Sequence, residues 1–243
     1  MNRRRLLGQH FLRSEAVARA LVWPLRDAGP HEIVAEIGTG RGFLTRRILS
    51  GSSSLLVSVE LDEDLCRRTA DEIGGSWNLG LVCGDAYSTI RRFDYLISSP
   101  PYYESSNMLR WLAAKDFKLA SLILQEEFVS KLIEEPGKRG YGAISAFAQL
   151  AFRMSAGPVV PPGSFSPMPE VNSRTLILRP RVAMSDREAR WILSQLRRLF
   201  SYRKKRLSRV CRDLGLEIGC GTGRVSELGP REALGIAAAI PTG

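Results

Sequence analysis

Two runs of residues in this chain have types and spacings suited to chemistry. One is Glu36-Ile37-Gly38-Thr39-Gly40-Arg41-Gly42; the other is Ser98-Ser99-Pro100-Pro101-Tyr102-Tyr103. In the second run the Ser99 side chain and the Pro100 carbonyl are hydrogen-bond acceptors, and the prolines fix the direction in which that carbonyl points. Acceptors of this kind suit an aromatic amine. Its lone pair is conjugated with the ring, and acceptors aimed at the NH2 favour a pyramidal nitrogen with growing positive charge. Tyr102 supplies a ring on which a base flipped out of its strand can stack. Group transfer to such a nitrogen is an in-line displacement governed by positioning, so neither a metal nor a covalent nucleophile is required.

The first run suits a nucleoside cofactor. Its glycines let the backbone turn tightly and approach a ligand closely. A GxGxxG dinucleotide loop would need glycine at position 43, which is Phe43. The spacing GxGxG, with Glu36 two residues before Gly38, favours S-adenosyl-L-methionine, whose ammonium an acidic residue can meet. Glu60 lies 22 residues after Gly38, where a carboxylate can accept both ribose hydroxyls. Leu61 can pack on the adenine ring. Asp85, in Cys83-Gly84-Asp85-Ala86, can accept from the adenine amino group. Each acidic residue alone reads as an ordinary cap or turn; the ordered set favours a cofactor site. Glu217-Ile218-Gly219-Cys220-Gly221-Thr222-Gly223 repeats the glycine pattern, but no strand with a terminal acidic residue follows it. It reads as a turn between helices.

Positioning these residues requires strand ends. Short apolar runs at Ile33–Ile37, Leu55–Val59, Leu79–Val82, Phe93–Ile97 and Leu119–Leu124 read as buried strands. Helical patterns lie between them, for example Phe43–Leu49 and Asp64–Ile73. This alternation predicts an α/β fold with a doubly wound, Rossmann-like sheet. Ala151–Met154 and Arg174–Leu178 flank a proline-rich loop and are expected as a late hairpin at the sheet edge. Residues 1–180 are read as the catalytic domain and 181–243 as a small helical domain, with Asp186–Asp213 strongly helical.

The formal net charge is +10, and residues 181–243 hold 13 Lys and Arg against 6 Asp and Glu. Such a balance favours a polyanionic partner through counterion release, without choosing RNA over DNA. The four cysteines, Cys66, Cys83, Cys211 and Cys220, form no CxxC pair, and only His10 and His31 could join them at a metal. Neither a zinc site nor a disulfide framework is expected. A reducing, cytoplasmic setting follows, with no membrane segment and no secretory signal. A monomer is expected.

With these motifs in place, the chain resembles the ribosomal RNA adenine dimethyltransferase family, which includes small-subunit enzymes of the KsgA type and the Erm large-subunit resistance enzymes. Gly8-Gln9-His10-Phe11-Leu12 resembles the family's N-terminal motif, which implies cofactor contacts for Gln9, His10 and Leu12. Further similar segments are Gln125-Glu126-Glu127, Tyr141-Gly142-Ala143-Ile144-Ser145 and Pro162–Val171. The last implies that Phe165 packs against the flipped adenine opposite Tyr102. The stretch from Pro162 to Ser173 and the basic residues Arg203, Lys204 and Lys205, expected on a helix, resemble the small-subunit enzymes. The resemblance implies dimethylation of two adjacent adenosines near the 3′ end of small-subunit rRNA, with the basic C-terminal helices on rRNA phosphates. Ser99 departs from the family's usual Asn, which shortens the acceptor. Other readings are an assembly factor of the immature small subunit in which binding outweighs catalysis, and an N6-adenine methyltransferase of large-subunit rRNA or DNA. A nicotinamide oxidoreductase is disfavoured by Phe43.

Overall fold

The computed structural model describes residues 10–73, 75–216 and 221–241. In chain order the elements are β1 (Phe11–Leu12), α1 (Glu15–Val22), β2 (Ile33–Ile37), α2 (Phe43–Gly51), β3 (Leu55–Glu60), α3 (Glu63–Ile73), β4 (Leu79–Cys83), α4 (Ala86–Thr89) and β5 (Tyr95–Ser98). They continue with α5 (Ser105–Ala113), β6 (Leu119–Gln125), α6 (Glu126–Ile133), α7 (Ala143–Ala151), β7 (Phe152–Val160), β8 (Phe165–Ser166), β9 (Ser173–Pro180), α8 (Asp186–Phe200), α9 (Leu207–Asp213) and α10 (Pro230–Ala238).

Seven strands form one sheet in the order β4-β3-β2-β5-β6-β9-β7. Strands β2 to β6 run parallel, and β9 is antiparallel to β6. The chain therefore moves outward from β2 to β4, then returns to β5 on the other side of β2. Loops leaving β2 and β5 diverge at this reversal, which opens a crevice at the C-terminal edge of the strands. All five predicted strands form, each within two residues of its expected ends. The two late strands lie side by side at the sheet edge, as expected, but β7 reaches Val160. The proline-rich loop also holds β8, which pairs antiparallel with β1: Phe11 faces Ser166 and Leu12 faces Phe165. Strands this short give no periodic signal.

The apolar faces of β2, β3, β5 and β6 are buried under α1 and α2, with Leu21, Val34, Ile48, Leu56, Ile97 and Ile123 at the centre. Burying side chains of this size contributes about 1.5–3 kcal/mol each.

The chain divides into two compact units. One comprises residues 1–105, 116–126 and 155–180; the other 106–115, 127–154 and 181–243. The second unit is made of the C-terminal stretch together with α5, most of α6, and α7. The reason is packing within that unit, where α7 and α10 both lie against α8. Buried Tyr141 meets Phe200 edge-on at 5.6 Å, and its hydroxyl donates to the Leu228 carbonyl at 3.0 Å. Helix α8 begins at a capping box in which Ser185 and Glu188 bond each other's backbone N–H groups.

Two expectations are corrected here. The helix predicted over Asp186–Asp213 is broken: residues 201–206 form a turn, so Arg203, Lys204 and Lys205 lie between α8 and α9 and not on a helix. Disulfide bonding, which the cysteine spacing argued against, is present between Cys66 on α3 and Cys83 at the end of β4. They are 17 residues apart, but the return from α3 into β4 brings their Cα atoms to 5.7 Å, within bridging range. Cys211 is also disulfide-bonded. Of the repeated glycine pattern, Glu217 to Cys220 lie outside the described residues; Gly221 to Gly223 precede a short 3-10 turn at Val225–Glu227.

Candidate active site

Because β2 to β5 are parallel, the ends of all four lie along one edge of the sheet. Ile37 is in register with Ser98 on one side and with Val59 on the other. The buried Ser98 hydroxyl donates to the Ile37 carbonyl at 2.7 Å, tying the glycine loop to the serine-proline loop. Beyond β2, Gly38, Gly40 and Gly42 all have positive φ, at 83°, 57° and 70°. Gly40 has a second constraint: an added Cβ would lie 3.0 Å from the Phe11 ring, so its absence lets the N-terminal segment close on the loop.

Glu60, at the end of β3, is held by this loop. One carboxylate oxygen accepts from Gly40 N–H at 2.7 Å and the other from Asp62 N–H at 2.9 Å. Both oxygens keep lone pairs that can accept from hydroxyl donors. Leu61 beside it is exposed and available to cover a ring. Asp85 caps α4, accepting from Tyr87 N–H through Oδ1 at 3.0 Å. Its second oxygen has no partner among the described residues, so the cap leaves one acceptor open. Ala86 is buried beneath it.

Glu36 is fully buried. It sits opposite Ser58 in the β2–β3 register, and its Oε2 accepts from Ser58 Oγ at 2.6 Å and Thr45 Oγ1 at 2.7 Å. Thr39 Oγ1 lies 2.6 Å from the same Ser58 hydroxyl. Oε1 is buried with no hydrogen-bond partner among the described residues. Burial, reinforced by the nearby Glu60 charge, pushes the Glu36 carboxyl up to about 7 against the hydrogen bonds of Ser58 and Thr45. A buried acceptor left open beside a glycine cradle fits a ligand that brings a cationic donor, as the ammonium of S-adenosylmethionine does. When bound, that cofactor supplies an electrophilic methyl group on a sulfonium centre.

Beyond β5, Ser99 is half-buried and Pro100 buried. Neither the Ser99 hydroxyl nor the Pro100 carbonyl has a hydrogen-bond partner among the described residues, so both acceptors are open. Tyr102 is half-buried, its hydroxyl 2.6 Å from Ser173 Oγ. His10 stacks on the Tyr102 ring at a centroid distance of 5.7 Å and an interplanar angle of 28°, and its Nδ1 donates to the Pro167 carbonyl at 2.8 Å. His10 is thus placed on the tyrosine. Gln9 lies outside the described residues. Leu12 and Phe165 are both in the core, Phe165 only 2% exposed. A ring this deeply buried offers little surface to a base, in contrast to the expectation that it packs against a flipped adenine.

Sequence reasoning missed Thr39, Thr45, Ser58, Ser98 and Ser173. A hydroxyl inside the apolar run Leu55–Val59 was a readable sign for Ser58. For Ser173 no spacing pointed to Tyr102.

The family model described as ribosomal RNA adenine dimethylase matches residues 1–226. The chain belongs to this family. It is a S-adenosylmethionine-dependent methyltransferase with a Rossmann-like sheet. Among similar proteins, ribosomal RNA small subunit methyltransferase A of Synechococcus elongatus is 35% identical over 199 residues, covering 74% of this chain and 71% of that protein. The protein of the same name from Thermosynechococcus vestitus is 32% identical over 226 residues, covering 87% and 83%. The crystal structure of a dimethyladenosine transferase from Plasmodium falciparum matches in fold with a TM-score of 0.78 at 21% identity, covering 93% of this dimethylase and 95% of that chain.

Among the described residues of the dimethylase there is no cluster of three or more potential metal ligands, and no helix is long and apolar enough to cross a membrane.

Proposed function

We propose that this dimethylase methylates N6 of two adjacent adenosines near the 3′ end of small-subunit rRNA, acting on the immature small ribosomal subunit in the cytoplasm. The observation that carries the reading is the pair of open acceptors, Ser99 Oγ and Pro100 O, on a loop tied by Ser98 to the glycine loop. In this reading Glu36 meets the cofactor ammonium, Gly38 and Gly40 admit its backbone, and Glu60 accepts from the ribose. Leu61, Asp85 and Ala86 surround the adenine, and Gln9, His10 and Leu12 belong to the segment that closes over it. Ser99 and Pro100 accept from the target N6 as positive charge develops there, and the proton leaves to solvent after methyl transfer. Tyr102 stacks on the flipped base, and Phe165 packs in the core of the same unit. Small-subunit specificity is supported by the names of the relatives.

Residues 1–180 carry the chemistry, and the basic residues of 181–243 hold rRNA phosphates, which positions the target without reading its bases. A cysteine bridge is at odds with a reducing cytoplasm, although intracellular proteins of hyperthermophiles carry such bridges.

The test is transfer of labelled methyl groups to purified small and large ribosomal subunits that lack the modification. The expected result is label on the small subunit alone. Label on the large subunit, or on DNA, would replace this substrate; cofactor binding with label on none would favour the assembly role.

A further inference from the structure

Tyr102 is constrained beyond what a stacking ring needs. Ser105 Oγ donates to its carbonyl at 2.7 Å, fixing the backbone as α5 begins. His10 covers one face of the ring. The hydroxyl meets Ser173 Oγ at 2.6 Å. Ser173 is the first residue of β9 and is fully buried. Since β9 runs antiparallel to β6, its first residue pairs with Gln125, the last residue of β6. Ser173 thus sits at the same sheet edge from which the Ser99–Tyr102 loop departs β5, with β6 between the two strands.

We infer that Ser173 is the positioning residue of the target site: it fixes the angle of the Tyr102 ring, and so the plane in which the flipped adenine presents N6 to Ser99 and Pro100. The inference rests on the stacking role proposed above for Tyr102. Ser105 fixes the tyrosine backbone, but the ring still rotates about two side-chain bonds. His10 limits one face only. A hydrogen bond at the far end of the ring removes the remaining freedom, and because its Ser173 end is fully buried, water competes for it from the tyrosine side only. Burial raises the Tyr102 phenol above its ordinary pKa, while the Ser173 bond opposes that. The hydroxyl pair therefore stays neutral at physiological pH. Misplacement of the reacting atoms by an ångström is costly in a reaction that depends on alignment.

The experiment is a double-mutant cycle with Ser173→Ala and Tyr102→Phe, read by single-turnover methyl transfer to unmodified small subunits and by cofactor affinity. Tyr102→Phe keeps the stacking ring and removes only its anchor. Each single variant is expected to lose roughly three- to tenfold in transfer rate, the value of one net hydrogen bond, with cofactor Kd unchanged within about twofold. The double variant is expected to be no slower than either single one, and Ser173→Thr to restore the rate. Thermal unfolding checks that the variants fold. Additive losses, equal loss of cofactor affinity, or full activity of Ser173→Ala would each overturn the inference. Tyr102→Ala separates it from the stacking reading: full activity of that variant refutes stacking itself, whereas a large loss there beside an unaffected Ser173→Ala refutes positioning alone.

Discussion

Glu36 is under two opposed demands. It accepts from two hydroxyls and keeps one buried oxygen open, yet burial raises its pKa to about 7 against the ordinary 4.5. In the cofactor-free protein it takes up a proton on folding between those two values. Stability from this group is therefore present at low pH and is lost as pH rises from about 4.5 through about 7. A cationic ligand at Oε1 reverses the preference and favours the carboxylate, so cofactor binding below pH 7 releases a proton. Kd for S-adenosylmethionine is expected to rise by about tenfold per pH unit below 7 and to be flat above it. Calorimetry in buffers of different ionisation enthalpy checks the proton release. Glu36→Gln should bind more weakly and without this pH dependence; a pH-independent wild-type Kd would mean that Glu36 does not meet the ligand.

At the scale of elements, the β3–α3–β4 segment forms one wall of the proposed cofactor site, and the Cys66–Cys83 bridge closes it into a loop of 17 residues. Cys83 directly precedes Gly84 and Asp85, and Gly84 N–H donates to the Glu60 carbonyl at 2.8 Å, so the bridge restrains the strand end that carries the open Asp85 oxygen. Loop-closure entropy for this length corresponds to about 3 kcal/mol. Replacing Cys66 with Ala and Cys83 with Ser is expected to lower stability by that amount and to weaken cofactor binding, with dithiothreitol reproducing both effects in the wild type. Unchanged thermal unfolding would show that the bridge is not formed in solution. The segment also shows what the sequence could and could not reveal. Strands Ile33–Ile37 and Leu55–Val59 were legible because each is a short apolar run that leads directly into a turn, the glycine loop after one and Glu60 after the other. Glu60 and the glycine loop could be placed for the same reason. The bridge was not legible, because spacing along the chain says nothing about the return of β4 beside α3. The β1–β8 pair was hidden by its length, and the stack of His10 on Tyr102 depends on it: two residues of pairing bring the N-terminal segment to a loop some 150 positions away.

For the molecule as a whole, the net charge of +10 is the property that an rRNA partner meets first. The three basic residues that the sequence singled out differ in what they can offer. Arg203 donates to the Arg139 carbonyl at 2.9 Å, and Lys205 lies 3.5 Å from the Asp213 carboxylate and 4.8 Å from the centre of the Tyr202 ring. Lys204 is exposed and has no partner among the described residues. It can therefore meet a phosphate without giving up an existing contact. Lys204→Ala is expected to reduce the slope of log affinity against log salt by about one, with smaller changes for Lys205→Ala. Equal slopes for wild type and Lys204→Ala would place the phosphate contacts elsewhere. The central claim, N6 transfer to adenosine, is tested most directly by incubating the protein with labelled S-adenosylmethionine and unmodified small subunits, then analysing rRNA nucleosides by mass spectrometry. The account predicts N6,N6-dimethyladenosine at two adjacent positions near the 3′ end. Label at any atom other than adenosine N6, or no label while the cofactor binds normally, would contradict it.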